Sequence, residues 1–298
     1  MAPPQIPTLP LNFGGISRDK CRWDDCRVAF LSVHYDLTCT YGPGARRGPL
    51  AILEASTHME LFDEELRTDT SRLGFHTLDP LEALASGPEE MVRHIRDYAR
   101  PVIEADKFPV LLGGEHTVTL GIAGPLKEKY PDLSFLQLDA HADLREEFEG
   151  TRFSHACVGR RLAEIAPLAQ VGIRSLSPEE YAFWKNSNIH TLFWHELADI
   201  PDWPENRIPN LTEEVYITID LDVLDPGIMP SVGTPEPGGL RWRELTRFLR
   251  RISRRHKIVG FDVVELSPIP GLVGPDFLAA KLAYRLLGYI FADSLPTE

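Results

Sequence analysis

SFLQLDAHAD, residues 134–143, is the stretch that decides how this chain folds. Its opening, Ser134–Leu138, is mostly apolar and runs into a polar cluster, which is the pattern of a strand covered on both faces in a parallel sheet. Successive side chains of a strand point to opposite faces, so Asp139 and His141 aim at one point. VYITIDLD, residues 215–222, repeats the arrangement with Asp220 and Asp222. Each acidic group falls at the carboxyl end of its strand, where open α/β sheets place their ligands.

Further strands are expected near 28–33, 75–78, 109–112, 169–173, 190–193 and 258–264, with helical stretches in most of the intervals. Ser177–Glu180 has the form of a helix start, and Trp242, Leu245, Leu249 and Ile252 recur at helical spacing with arginines between them. The alternation predicts an α/β fold: one three-layer α/β/α domain with a mostly parallel sheet of about eight strands, spanning 21–298 after an irregular arm at 1–20. Prolines cluster in the first ten residues, around 201–209 and around 226–237, and the last two clusters put long loops at the mouth of the expected site.

A third contributor follows Pro109–Leu112, where Gly113 and Gly114 let the backbone turn and Glu115 and His116 come next. A lone Asp or His at a strand end is ordinarily a turn residue or helix cap. The set differs: His116, Asp139, His141, Asp143, Asp220 and Asp222 bring carboxylates together in a number that one ion does not need. Such charges repel strongly unless cations lie between them, and two divalent ions about 3.5–4 Å apart with bridging carboxylates are the common solution. Carboxylate and imidazole donors without thiolate suit Mn²⁺, although Zn²⁺ or Fe²⁺ can also occupy such a set.

With a net charge of −13, the chain argues against nucleic-acid binding and is compatible with a cationic substrate. No apolar run reaches membrane-spanning length, and the proline-rich start lacks the basic and apolar segments of a signal peptide. A soluble, cytoplasmic protein with no membrane partner is expected. Cys21 and Cys26 are close enough in sequence to pair, but a chain of this size with four cysteines needs no staples, so free thiols are expected.

The motifs GGEH (113–116), DAHAD (139–143), FSHACVGRR (153–161), DLDVLDP (220–226), VGTPEPGG (232–239) and DVVELSP (262–268) together resemble the ureohydrolases, the arginase and agmatinase superfamily, from about residue 28 to the C-terminus. The resemblance implies two manganese ions per subunit. One would be held by His116, Asp139, Asp143 and Asp220, the other by Asp139, His141, Asp220 and Asp222, with Asp139 and Asp220 as bridges. It further implies a metal-activated hydroxide attacking a guanidinium carbon, with Asp143 and His155 handling protons and Glu265 gripping the guanidinium. Arms like 1–20 in relatives often reach a neighbouring subunit, so a homotrimer or homohexamer is implied.

Arginases read the α-carboxylate of arginine with a Ser-Gly-Asn loop; TRFSHACVGRR, residues 151–161, is instead similar to the agmatinase branch. Agmatine, a small cationic guanidino compound yielding putrescine and urea, is the expected substrate. Arg152 is the awkward residue, a cation that could instead draw in a carboxylate, or simply form a salt bridge. Guanidinobutyrase, another guanidino-acid hydrolase or a formimidoylglutamase are the alternatives within the superfamily. A one-zinc deacetylase and a non-catalytic subunit lie outside it. Ser231 and the segment 267–271 depart from the common family pattern beside the site.

Overall fold

The computed structural model describes residues 11–197 and 211–296, so the first ten residues and the proline cluster at 201–209 lie outside the described residues. The strands are β1 (Val28–His34), β2 (Phe62–Asp63), β3 (Thr68–Asp69), β4 (Phe75–Thr77), β5 (Leu81–Glu82), β6 (Phe108–Gly113), β7 (Ser134–Leu138), β8 (Leu168–Ile173), β9 (His190–Phe193), β10 (Glu214–Asp220) and β11 (Lys257–Val264). The helices are α1 (Gly48–Ser56), α2 (Pro88–Glu104), α3 (Thr119–Lys129), α4 (Val158–Ile165), α5 (Pro178–Lys185), α6 (Trp194–Leu197), α7 (Trp242–Arg255) and α8 (Gly274–Ile290).

Among the described residues nine strands form the main sheet in the order β4-β1-β6-β11-β10-β7-β8-β9, with β5 also pairing on β1, and every pairing in it is parallel. The expected count of about eight missed only the two-residue β5. β6, β7 and β8 are buried along their whole length, as a parallel sheet between helical layers requires. One core packs α1, α7 and α8 on one face of the sheet, and a second packs α2, α3 and α4 on the other. The short antiparallel pair β2–β3 stands apart from the sheet.

Local chemistry starts and turns these elements where the sequence signals it. Ser177 caps α5 by accepting from the Glu180 N–H at 3.2 Å, while the Glu180 carboxylate accepts the Ser177 N–H at 2.7 Å. The other Glu180 oxygen accepts the Leu144 N–H, tying this helix to the chain leaving DAHAD. On α7, Leu245, Leu249 and Ile252 are buried and Arg250 pairs with Glu65. Residues 11–20 carry two short 3-10 turns, Phe13–Gly15 and Arg18–Lys20, and Phe13 is buried and stacks on Phe30 at 4.1 Å between ring centroids. All four cysteines are free. No helix of the described residues is long and apolar enough to cross a membrane.

Candidate active site

The sheet order sets the site. Leu138 pairs with Ile219 and Leu112 with Val263, so β6, β11, β10 and β7 end side by side. At or just beyond those ends stand, in the same order, His116, Glu265, Asp220 and Asp139. Gly114 permits the turn after β6, because a Cβ there would sit 2.0 Å from the Tyr35 carbonyl oxygen. Asp143 and Glu265 are non-glycine residues held in the left-handed region, at φ 53° and 66°. That conformation costs roughly 1–2 kcal/mol for a residue with a Cβ, and strain of this kind clusters at functional sites.

Two groups of ligand-type atoms form there, His116 with Asp139 and Asp220, and Asp139 with His141 and Asp222, each within 4.8 Å of one another. Asp139 serves both: its Oδ2 lies 3.1 Å from His116 Nδ1 and its Oδ1 3.8 Å from His141 Nδ1. Asp143 and Asp220 approach His116 Nδ1 at 3.2 and 3.5 Å, and Asp222 lies 2.8 Å from His141 Nδ1. Backbone N–H groups hold the carboxylates from behind: Asp139 accepts from His141, Asp220 from Asp222, and Asp222 from Ala140.

The donor set fits divalent cations, and the tautomer of His116 says so. Thr218 donates its hydroxyl to the buried Asp262 carboxylate at 2.6 Å, leaving its lone pairs to accept His116 Nε2–H at 2.9 Å. A neutral His116 therefore presents the Nδ1 lone pair to three carboxylates, an arrangement that is repulsive without a cation between them. In the metal-free protein protons take that place. Burial opposes a charge on His116 and His141, but the facing carboxylates outweigh it, raising His116 well above its ordinary value and His141 to about 11. Burial, reinforced by neighbouring carboxylates, also raises Asp139, Asp143, Asp220 and Glu265.

A cavity of about 310 Å³ opens above this floor, reaching His116, His141, Asp143, Asp220 and Glu265. His155, Arg145 and Phe148 line its wall. Burial, and positive charge on His141 and His116, push His155 down to about 4, so its ring is neutral near pH 7. Glu265 Oε1 accepts the His116 N–H at 2.7 Å, leaving Oε2 as its remaining acceptor. A larger cavity of about 480 Å³ lies between the N-terminal turns and the β4–β5 segment, but none of the expected site residues lines it.

The structure thus gathers eight of the nine expected site residues and sets one aside. Arg152 is absent from the cavity lining; it is exposed and paired with Glu146 at 2.9 Å and Glu164 at 3.3 Å, the salt-bridge alternative rather than a substrate contact. The cation on the cavity wall is Arg145, stacked over Phe148 at 4.7 Å and 3.9 Å from Glu180. Sequence reading missed it, since nothing local distinguishes it from Arg152. Reading also missed Thr38, Thr218 and Arg174, which donates to backbone carbonyls of Asp222 and Glu236 and clamps their loops. Asp262 offered a usable signal, an acid inside an apolar strand. Asp225 is a turn residue accepting the Gly227 N–H, Cys157 is a buried thiol, and His34 packs between Ser32 and Glu82.

Known proteins resemble the chain over most of its length. The arginase family, described as "Arginase family", matches residues 26–288. The chain is 40% identical over 273 residues to an N(1)-aminopropylagmatine ureohydrolase of Synechocystis, covering 89% of each. It is 33% identical to the agmatinase of Bacillus subtilis, over 83% of this chain and 86% of that one. The crystal structure of a putative agmatinase from Clostridium difficile superposes with a TM-score of 0.82 at 31% identity, covering 92% of this chain and 99% of the other. Fold, strand-end site and sequence agree: this chain belongs to the arginase family, whose ureohydrolases are hydrolases of guanidino compounds.

Proposed function

We propose that the protein is a two-manganese amidinohydrolase that releases urea from agmatine or from its N1-aminopropyl derivative. The observation that carries this reading is the pair of ligand groups sharing Asp139 on the floor of a cavity walled by Glu265 and a neutral His155. His116, Asp139, Asp143 and Asp220 would hold one ion, and Asp139, His141, Asp220 and Asp222 the other. Bound there, the ions would compensate the carboxylates and acidify water, whose pKa a metal can lower from about 15.7 to about 7.

The chain's own groups do the rest. A guanidinium is planar and offers N–H donors on every edge. Glu265 Oε2 accepts from one edge and orients the carbon, while His155, which lines the same cavity, meets another nitrogen. Asp143 holds the proton given up by the attacking water and passes it to the leaving nitrogen, without which the amine does not depart.

A second reading has one observation behind it. Arg145 lies on the cavity wall and is suited to a carboxylate, as in 4-guanidinobutanoate. One experiment separates the two: product release by the Mn²⁺-loaded protein on agmatine, N1-aminopropylagmatine, 4-guanidinobutanoate, 3-guanidinopropanoate, arginine and formimidoylglutamate, assaying urea and formamide. Preference for either amine supports the first reading, and the ratio between them identifies the substrate. Preference for a guanidino acid that disappears in Arg145→Ala supports the second. Absence of urea from every substrate sinks both.

A further inference from the structure

We infer that Thr38 and Glu115 form a positioning relay that decides which ring nitrogen of His155 carries the proton. The three residues come from separate parts of the fold: Thr38 from the loop after β1, Glu115 from the turn after β6, and His155 from the loop before α4. Glu115 is completely buried. Its Oε2 accepts the Thr38 backbone N–H at 2.7 Å and its Oε1 accepts the Thr38 hydroxyl at 2.6 Å. A backbone N–H only donates, so the carboxylate is seated as a paired acceptor and the single hydroxyl proton of Thr38 is committed to it.

Thr38 Oγ1 then has only lone pairs left for His155. It accepts the His155 backbone N–H at 3.1 Å and stands 3.2 Å from ring Nδ1. The ring proton therefore resides on Nδ1, and Nε2 keeps a lone pair. The same oxygen fixes backbone and ring together, Ser154 Oγ adds a longer contact to Nδ1 at 3.4 Å, and Phe148 stands edge-on to the ring with centroids 6.3 Å apart. Glu115 thus acts through Thr38, as a positioning residue, and not only as a neighbour of His116. The inference rests on the amidinohydrolase reading solely for what Nε2 meets, an N–H of the guanidinium.

The test is ring-nitrogen NMR on the full-length protein loaded with diamagnetic Zn²⁺ and labelled with ¹⁵N-histidine, the His155 signals being those absent from His155→Asn, with turnover measured on the Mn²⁺-loaded protein. The relay predicts the Nδ1–H form in the wild type. In Glu115→Gln the amide donates to Thr38 Oγ1, turning the hydroxyl proton toward Nδ1 and moving the ring proton to Nε2. That flip should accompany a fall in kcat of about 10–100-fold with metal content unchanged, whereas Thr38→Ser should keep both tautomer and turnover within about threefold. If Glu115→Gln does not fold, Thr38→Val serves, with the ring losing its single tautomer. An Nε2–H ring in the wild type, or an unmoved tautomer in the variant that folds, overturns the relay. An Nδ1–H ring in a protein that releases no urea overturns the functional reading and leaves the relay standing.

Discussion

Two acidic clusters in this molecule are neutralised in opposite ways. In the β2–β3 segment, Asp63, Glu64 and Glu65 surround Arg285, which lies 3.2, 2.6 and 3.3 Å from their oxygens, and Glu65 also takes Arg250 and the Tyr289 hydroxyl. Every acid there has a permanent cation from the chain itself. At the ends of β6, β7 and β10, the ion-pair partners of Asp139, Asp143, Asp220 and Asp222 are two imidazoles, which are charged only if protonated. A guanidinium closes a cluster for good, whereas imidazoles leave room for an exchangeable cation. The first arrangement is a clasp; the second is a binding site waiting on the solution.

Substitutions at the two clusters should therefore fail in different ways, and the largest effect belongs to the strand ends. Asp220→Asn should lower kcat/KM by about 10³-fold or more and reduce bound metal, while the chain still folds. Normal metal content with normal turnover would remove Asp220 from the centre. Glu265→Gln should cost about 10²–10³-fold with metal retained, since it touches substrate rather than ions.

Arg285→Ala should do the reverse. It strands the fully buried Asp63 and so costs about 3–5 kcal/mol of stability, a drop in Tm on the order of 10 °C, with metal content unchanged. A loss of metal in that variant would erase the distinction between the clusters.

The metal-free protein offers a subtler test through pH. Its native state holds a proton on His141 up to about pH 11, which the unfolded chain releases near its ordinary value of 6.5. Between those values the native state binds more protons, so stability falls as pH rises. His155, depressed to about 4, acts in the opposite sense only between about 4 and 6.5. Scanning calorimetry from pH 7 to 10 should show Tm of the chelated protein falling by several degrees relative to the Mn²⁺-loaded protein, whose cations replace those protons; parallel curves would count against cation binding here. The smallest effect is Arg152→Ala, which should leave kcat/KM within about twofold because its guanidinium faces Glu146 and Glu164 on the exposed side.

Much of the site was legible because its grammar is local. Alternation along a strand fixes that Asp139 and His141 share a side, and the same rule serves Asp220 and Asp222; no long-range information is needed. The strands around them were legible for a similar reason, since burial on both faces leaves an apolar run that only a parallel sheet between helices explains. What local pattern does not contain is neighbour order. β11 is the last of the described strands, yet it lies between β6 and β10, where the Glu265 N–H donates to the Gly114 carbonyl at 2.8 Å.

That placement depends on which helices pack over which crossings, a sum of side-chain contacts spread across the whole chain. So does the selection between two arginines in one loop: Arg152 turns to Glu146 and Glu164, while Arg145 stacks on Phe148 and faces the cavity. Thr38, Glu115 and His155 meet for the same reason, three segments far apart in sequence joined by one hydroxyl. The sequence by itself determined the ligand types, their spacing and the strand ends that carry them, because those follow from the geometry of a single strand. Only the tertiary structure decided which strand ends lie abreast, which cation faces the cavity and what holds His155, because each depends on partners that no local pattern names.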